Sequence, residues 1–315
     1  MKIARSTPFE SPNPFLQRAA YSPTGEEIVA CGGRYDQPGN ALIWTLPDLQ
    51  NPRVLGLSAV NPTSLALGTQ TKVLAACAMS CTSVEVWDYE TGRPLGQHVI
   101  LPEPYQKVAA GHYMTSTQVG IMTFSPDDRH LALGCWDCSA KVIDLDTGSL
   151  TQLVPPSKHN VDLVAFDPED PNRLVTGSID RLFIWDLARG KVKSKLALPG
   201  DEPWKHVALE DGRILSLAHD GALRIWDRDL KGDDAFAIRY KPPATCLAYS
   251  KPHGLLAIGQ RAGRIIIWDV NAKKLAGSLK VGKDDVLSID FARVQDKLCV
   301  VTSGPQRLFE VEWTR

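Results

Sequence analysis

The sequence predicts an all-β chain in which one four-stranded sheet is repeated around a ring. Three observations carry that prediction. A β-rich run ending in Trp or Trp-Asp returns about every 42 residues, at Trp44, Trp87, Trp185, Trp226 and Trp268, with intervals of 43, 98, 41 and 42 residues. The long interval contains a degenerate copy, Val142-Ile143-Asp144, with Ile143 in the place of Trp. No ten-residue stretch carries helical periodicity. A fixed period of roughly 40–45 residues with this ending marks a radially repeated β architecture.

Within one copy the elements follow in order. An apolar run ends in an aromatic residue and a turn, as in Tyr21-Ser22-Pro23-Thr24-Gly25, Phe124-Ser125-Pro126-Asp127-Asp128, Phe166-Asp167-Pro168 and Tyr249 through Gly254. Pro presets φ, Ser and Asp bond locally, and Gly accepts positive φ, so these are hairpin turns. A second strand is short and rich in small apolar residues, as in Leu131-Ala132-Leu133-Gly134 and Leu255 through Gly259. The second turn is clearest at His219-Asp220-Gly221, where Asp-Gly favours a tight hairpin. The third strand ends at Trp, as in Ala222 through Trp226, and a third turn follows, as in Tyr89-Glu90-Thr91-Gly92 and Leu145-Asp146-Thr147-Gly148. Each copy therefore supplies four short strands and three tight turns. Trp136-Asp137 does not close a third strand; it sits on the second turn of its copy.

The joint pattern of aromatic-Ser-Pro, small-residue strand, Asp-Gly turn, Trp-Asp and Thr-Gly resembles the WD-repeat family of β-propellers over most of the chain. The resemblance implies a seven-bladed β-propeller with four antiparallel strands per blade. Six copies centre on Trp44, Trp87, Ile143, Trp185, Trp226 and Trp268. A worn seventh runs through Val286–Phe291, Leu298–Thr302 and Leu308–Trp313 and lacks a fourth strand. Met1 through Ser6 are expected to supply it, closing the ring with strands from both termini and leaving no open edge. The resemblance also implies a network in each blade, in which the second-turn Asp joins a His, a Ser or Thr, and the Trp. Asp137, Asp180 and Asp220 match that Asp, and His112 resembles the His from a position too far upstream. Ala262 stands where the sixth copy should carry Asp.

Composition is consistent with one domain over residues 1–315. Hydrophobic residues make up 43% of 315, and the 24 Gly and 22 Pro fall in the turns. Each copy is one sheet that buries its faces only against its neighbours. A formal net charge of −1 gives no electrostatic footprint for nucleic acid. No apolar run has signal-peptide or membrane-spanning form. Seven cysteines without a small-domain framework point to a reducing compartment, the cytoplasm with the nucleus open.

Cys31, Cys246 and Cys299 read as core thiols. Cys135-x-x-Cys138 on the second turn of copy three and Cys77 with Cys81 around the matching turn of copy two could together form a tetrahedral Zn²⁺ site. The favoured reading is packed thiols without metal, because Cys77-x₃-Cys81 is loose and Cys77 should point into a sheet. No cofactor is expected. The chain shows no phosphate loop, no Gly-x-Ser-x-Gly and no His-Glu-x-x-His. A site in the central channel would be nearly invisible in sequence; Asp137, Asp180, Asp220, His219 and His112 are the residues that would supply one.

The family resemblance places binding on the narrower face, at the residue before the second-turn Asp. Those positions are Trp136, Ile179, His219 and Arg261, with Arg34, Tyr35 and Met79 on the longer turns of the first two copies. Trp, Tyr and Arg dominate interface energetics. The interval from Trp87 to Ile143 holds about 14 extra residues within Gly96 to Gln118, an insertion between the second and third copies. Its Val99-Ile100-Leu101 start would either grip a partner or fold back onto blade two. The expected function is a non-catalytic scaffold that presents a peptide- or protein-binding surface within a larger assembly. The alternatives are a small-molecule hydrolase or isomerase using the channel, and a strut held by its sides.

Overall fold

A computed structural model describes residues 2–8, 11–13, 15–34, 37–48, 50–78, 81–101, 118–155, 157–199, 204–209, 211–232, 234–238, 244–292, 297–303 and 308–314. β1 (Lys2–Pro8) opens the chain. Blade one holds β2 (Leu16–Tyr21), β3 (Glu27–Gly32), β4 (Pro38–Thr45) and β5 (Arg53–Val60). Blade two holds β6 (Pro62–Leu67), β7 (Val73–Ala78), β8 (Ser83–Asp88) and β9 (Arg93–Val99). Blade three holds β10 (Val119–Phe124), β11 (His130–Cys135), β12 (Ala140–Asp144) and β13 (Leu150–Leu153). Blade four holds β14 (Leu163–Phe166), β15 (Arg173–Gly177), β16 (Arg181–Asp186) and β17 (Lys191–Ala197). Blade five holds β18 (Trp204–Ala208), β19 (Ile214–Ala218), β20 (Ala222–Trp226) and β21 (Asp234–Ala237). Blade six holds β22 (Ala244–Ser250), β23 (Leu255–Gln260), β24 (Arg264–Asp269) and β25 (Lys274–Lys280). The last strands are β26 (Val286–Phe291), β27 (Lys297–Thr302) and β28 (Leu308–Thr314).

Six blades, not seven, are complete in one uninterrupted stretch of chain. The remaining sheet has the order β1-β28-β27-β26 and reaches four strands only through the N-terminal β1. β1 runs antiparallel to β28, from Lys2 opposite Thr314 to Pro8 opposite Phe309. The closing strand is therefore Lys2–Pro8 rather than Met1–Ser6, and Met1 lies outside the described residues. Pro8 is tolerated because β1 is an edge strand.

The inner strands β2, β6, β10, β14, β18, β22 and β26 pack neighbour against neighbour around the axis, and β2 meets β26. Core packing is divided among the blade interfaces. Trp44, Tyr21 and Val301 share one cluster; Cys77, Phe124 and Ile143 share another. Ile143 is buried in one cluster with Phe124, at the place where blades one, two, four, five and six carry Trp.

Local chemistry explains the turns. Ser125 Oγ accepts the His130 N–H at 2.9 Å and donates to Asp127 at 2.6 Å, closing the first hairpin of blade three. Ser22 caps Glu27 N–H at 3.1 Å in blade one, where Gly25 takes φ 74°. The Asp that ends the third strand folds the third turn: Asp88 of Trp87-Asp88 accepts the N–H groups of Glu90 and Thr91, and Asp144 of Ile143-Asp144 those of Asp146 and Thr147. These backbone donors hold both carboxyls below their ordinary range. Among the described residues the only helical element is a 3-10 turn at Arg261–Gly263, and no helix is long and apolar enough to cross a membrane. All seven cysteines are free thiols.

Candidate functional site

Because strand direction alternates in every blade, all second-to-third-strand turns emerge on one face, together with the entries to the inner strands. Five inner strands break register at one equivalent place near that face. The shifts fall between Leu16 and Arg18, Pro62 and Ser64, Val119 and Ile121, Ala244 and Cys246, and Val286 and Ser288. A bulge re-aims side chains, and here the affected residues line the axial channel.

Trp136 is the dominant feature of that face. It is 52% exposed, its backbone N–H donates to Gln118 O at 2.9 Å, and its indole lies over Gly120. A Cβ on residue 120 would meet Trp136 Nε1 at 3.0 Å, so any larger residue there would push the ring outward by a few tenths of an ångström. Beside it Arg18 reaches from blade one, donating from Nε to Thr63 O and from Nη2 to Gly120 O, each at 3.3 Å. Trp136, Arg18 and Gly120 border a mouth pocket of ≈ 220 Å³ with Gln17, Thr63 and Leu287. It adjoins the channel, a cavity of ≈ 500 Å³ lined by residues of every blade, including Arg18, Asp162, Lys205, His206 and Asp290.

Those polar groups differ in how they are satisfied. His206 ends a relay. Trp226 Nε1 donates to Ser216 Oγ at 3.0 Å, Ser216 Oγ stands 2.9 Å from His206 Nδ1, and His206 Nε2 stands 2.9 Å from Ser178 O. A carbonyl only accepts, so Nε2 carries the hydrogen and Nδ1 accepts from Ser216. Burial pushes the imidazole down to about 4. Asp162 Oδ1 is buried without a hydrogen-bond partner among the described residues, and burial lifts its carboxyl to about 7, with Lys205 pulling the other way. Asp290 accepts the Tyr21 N–H at 2.9 Å toward the opposite end of the channel.

The expected contact residues divide. Trp136, His219 and Arg34 are exposed on the face, and the Arg34 guanidinium lies 5.7 Å from the Phe15 ring centroid. Arg261 is 72% exposed but stands 4.0 Å from Asp285. Ile179 is half-buried. Tyr35 and Met79 lie outside the described residues, as does His112. Arg18, Gly120, Asp162 and Lys205 escape a sequence reading, because no local pattern marks inner-strand residues that meet only across the axis.

The implied networks form in part: His206, Ser216 and Trp226 are joined in blade five and Thr176 and Trp185 in blade four, but the second-turn Asp residues bond elsewhere. Asp137 accepts from Ser139 at 2.6 Å and pairs with buried Lys141 at 2.5 Å. Asp180 accepts from Ser178 at 2.8 Å, and Asp220 accepts the Ala222 N–H at 2.8 Å. The Trp partners are a Ser or Thr, as the resemblance implies: Ser216 accepts from Trp226 in blade five, and Thr176 accepts from Trp185 at 2.9 Å in blade four. At Ala262, φ 56°, the missing Asp is replaced from the next blade: Asp285 accepts the Ala262 N–H at 3.0 Å.

Cys77, Cys81 and Cys135 are buried together in the cluster between blades two and three, while Cys138 is half-buried on its turn at φ 64°. Among the described residues no group of three His, Cys, Asp or Glu is placed to hold a metal ion. The start of the insertion folds back: Ile100 and Leu101 are buried and donate their N–H groups to Thr82 O, while Val99 stays exposed. Residues 102–117 lie outside the described set.

The comparisons match this architecture. A family model described as "WD domain, G-beta repeat" matches residues 104–144. The chain is 23% identical over 201 residues to autophagy-related protein 16 of Arabidopsis thaliana, a match that covers 62% of this chain and 38% of that protein. It is 28% identical over 148 residues to human WD repeat-containing protein 90, covering 43% of this chain and 8% of that one. The chain thus spans under two fifths of the length of these relatives. Among solved structures, the β-propeller domain of Cps50 (Swd1) from Myceliophteria thermophila superposes with a TM-score of 0.78 at 16% identity, covering 99% of each chain.

Proposed function

The chain is a WD-repeat β-propeller, and on that premise we propose that it is a non-catalytic protein-interaction scaffold, a subunit of a larger assembly. Its working surface is the face around Trp136. The observation that carries this reading is the half-exposed indole held over Gly120 at the mouth pocket, beside Arg18. Aromatic and Arg anchors in partly enclosed pockets are where interface energy concentrates. The ring supports the loops on regular sheets, so little ordering entropy is lost on association. Free thiols throughout the chain suit a reducing compartment.

The test compares proteins captured by the wild type and by a Trp136→Ala, Arg261→Ala double variant. A partner lost only from the folded double variant supports the reading; equal recovery of the same partner rejects this face.

A second reading has its own observation. Val54 and Val60 on β5 and Leu95 and Val99 on β9 are exposed, whereas the outer strand β17 carries Lys191, Lys193 and Lys195 on its exposed side. Lysines guard an edge against pairing, and β5 and β9 carry none, with Arg53, Arg93 and Pro94 confined to their starts. A lateral contact at β5 and β9 would use it, and Val54→Lys with Val99→Lys would abolish that contact while sparing one at Trp136. The channel-enzyme alternative is the less supported: both nitrogens of His206 are committed to internal bonds, which leaves no free imidazole base at that position.

A further inference from the structure

We propose that the mouth of the axial channel is a binding site for an organic oxyanion, a carboxylate or phosphate on a small apolar or aromatic body, held by Arg18 and Lys205 with the body against Trp136. This goes beyond the scaffold reading and does not depend on it, since the site is complete within one chain.

The argument is one of unspent charge. Arg18 spends Nε and Nη2 on two long carbonyl contacts and makes no ion pair among the described residues, so Nη1 remains available. The Lys205 side chain, which lines the same cavity from blade five, makes no hydrogen bond or ion pair among the described residues. The acids do not balance them. Asp290 is engaged with the Tyr21 N–H toward the far end. Asp162 sits at the near end with an unpartnered oxygen and is readily neutralised by a proton. When protonated it becomes a donor, so the near end then presents two cations and an acid hydrogen to one cavity of ≈ 500 Å³. Ser64 and Ser288 donate their hydroxyl hydrogens to the backbone carbonyls of Val119 and Ala19, which leaves the cations as the donors for a ligand. The adjoining mouth pocket offers Trp136, Leu287 and Val119 as an apolar rim for the rest of the molecule.

A cation site is the rival, with Trp136 and Asp162 as its anchors. The two cations that line the cavity from blades one and five oppose it. Asp162→Asn separates the two, because among the described residues Asp162 is the one acid lining this end of the cavity, where it would attract a cation and repel an anion.

The experiment titrates the full chain by calorimetry with phenylacetate and with phenethylamine, its cationic counterpart. Phenylacetate is expected to bind saturably and phenethylamine not. Arg18→Gln and Lys205→Gln should each weaken phenylacetate by about tenfold, the scale of one lost charged hydrogen bond. Because anion binding favours protonated Asp162, affinity should fall about tenfold from pH 6 to pH 8. Asp162→Asn should bind at least as tightly as wild type at pH 8 and lose that dependence. Arg18, Lys205, His206 and Asp290 also face the cavity, and this variant separates the Asp162 titration from theirs. A blocked peptide carrying Glu between apolar residues distinguishes sources: tighter binding than phenylacetate assigns the site to a partner's acidic side chain, weaker binding to a free small molecule. Preference for phenethylamine, or no saturable binding to the folded wild type by any probe, overturns the proposal. Thermal melts of each variant confirm that it folds.

Discussion

His206 links the core of blade five to the wall of the channel, and it makes stability depend on pH. Its folded value of about 4 lies below the ordinary histidine value, so between them the unfolded chain holds a proton that the folded chain does not. The resulting stability is fully present above about pH 6.5, is lost as pH falls toward 4, and changes no further below that. The two-and-a-half-unit gap corresponds to ~3 kcal/mol. Urea denaturation should show the loss between pH 6.5 and 4.5, and His206→Gln should flatten that part of the profile. A second residue-level prediction concerns Ala262. A non-glycine residue at φ 56° is strained, so Ala262→Gly should raise stability by about 0.5–1 kcal/mol, read as a higher denaturation midpoint. Neither residue announces itself in sequence. His206 lies ten residues before Ser216 and twenty before Trp226, but only the folded sheet shows that these spacings stack the three side chains. Ala262 was visible as a missing Asp; its replacement, Asp285, comes from the following blade and could not be.

At the scale of elements, adjacent blades are joined by polar clamps as well as by apolar clusters. Asp128, on the first turn of blade three, accepts the backbone N–H groups of Thr69, Gln70 and Thr71 and the hydroxyls of Thr69 and Thr71 on the first turn of blade two, at 2.6–3.0 Å. Asp128→Ala should cost ~1–3 kcal/mol, because several donors lose their partner together. Hydrogen exchange at Thr69–Thr71 should accelerate before exchange in the cores of either blade. Strands and turns of this kind were largely legible, because Ser-Pro, Asp-Gly and Trp-Asp act on their own neighbours. The clamps and the channel wall were not. Arg18, Gly120, Asp162 and Lys205 come from four different blades, and the inner-strand bulges that aim several channel residues leave no local mark in the sequence. The implied Asp networks misled for a related reason: Asp137 found a buried Lys141 four residues away and paired with it instead.

At the scale of the whole molecule, closure depends on β1. Removing residues 1–8 would leave β28 as an unpaired edge, so the truncated chain should unfold at lower temperature and self-associate during size-exclusion chromatography. If it remained monomeric and equally stable, the terminal strand would have no closing role. The ring in turn holds the Trp136 face in place, and function is proposed to reside there. The most direct test is affinity capture with the wild type beside the Trp136→Ala, Arg261→Ala variant, scoring recovered proteins by mass spectrometry after confirming equal thermal melts. The account predicts at least one partner recovered by the wild type and absent from the variant. The same partners recovered equally by both would contradict it.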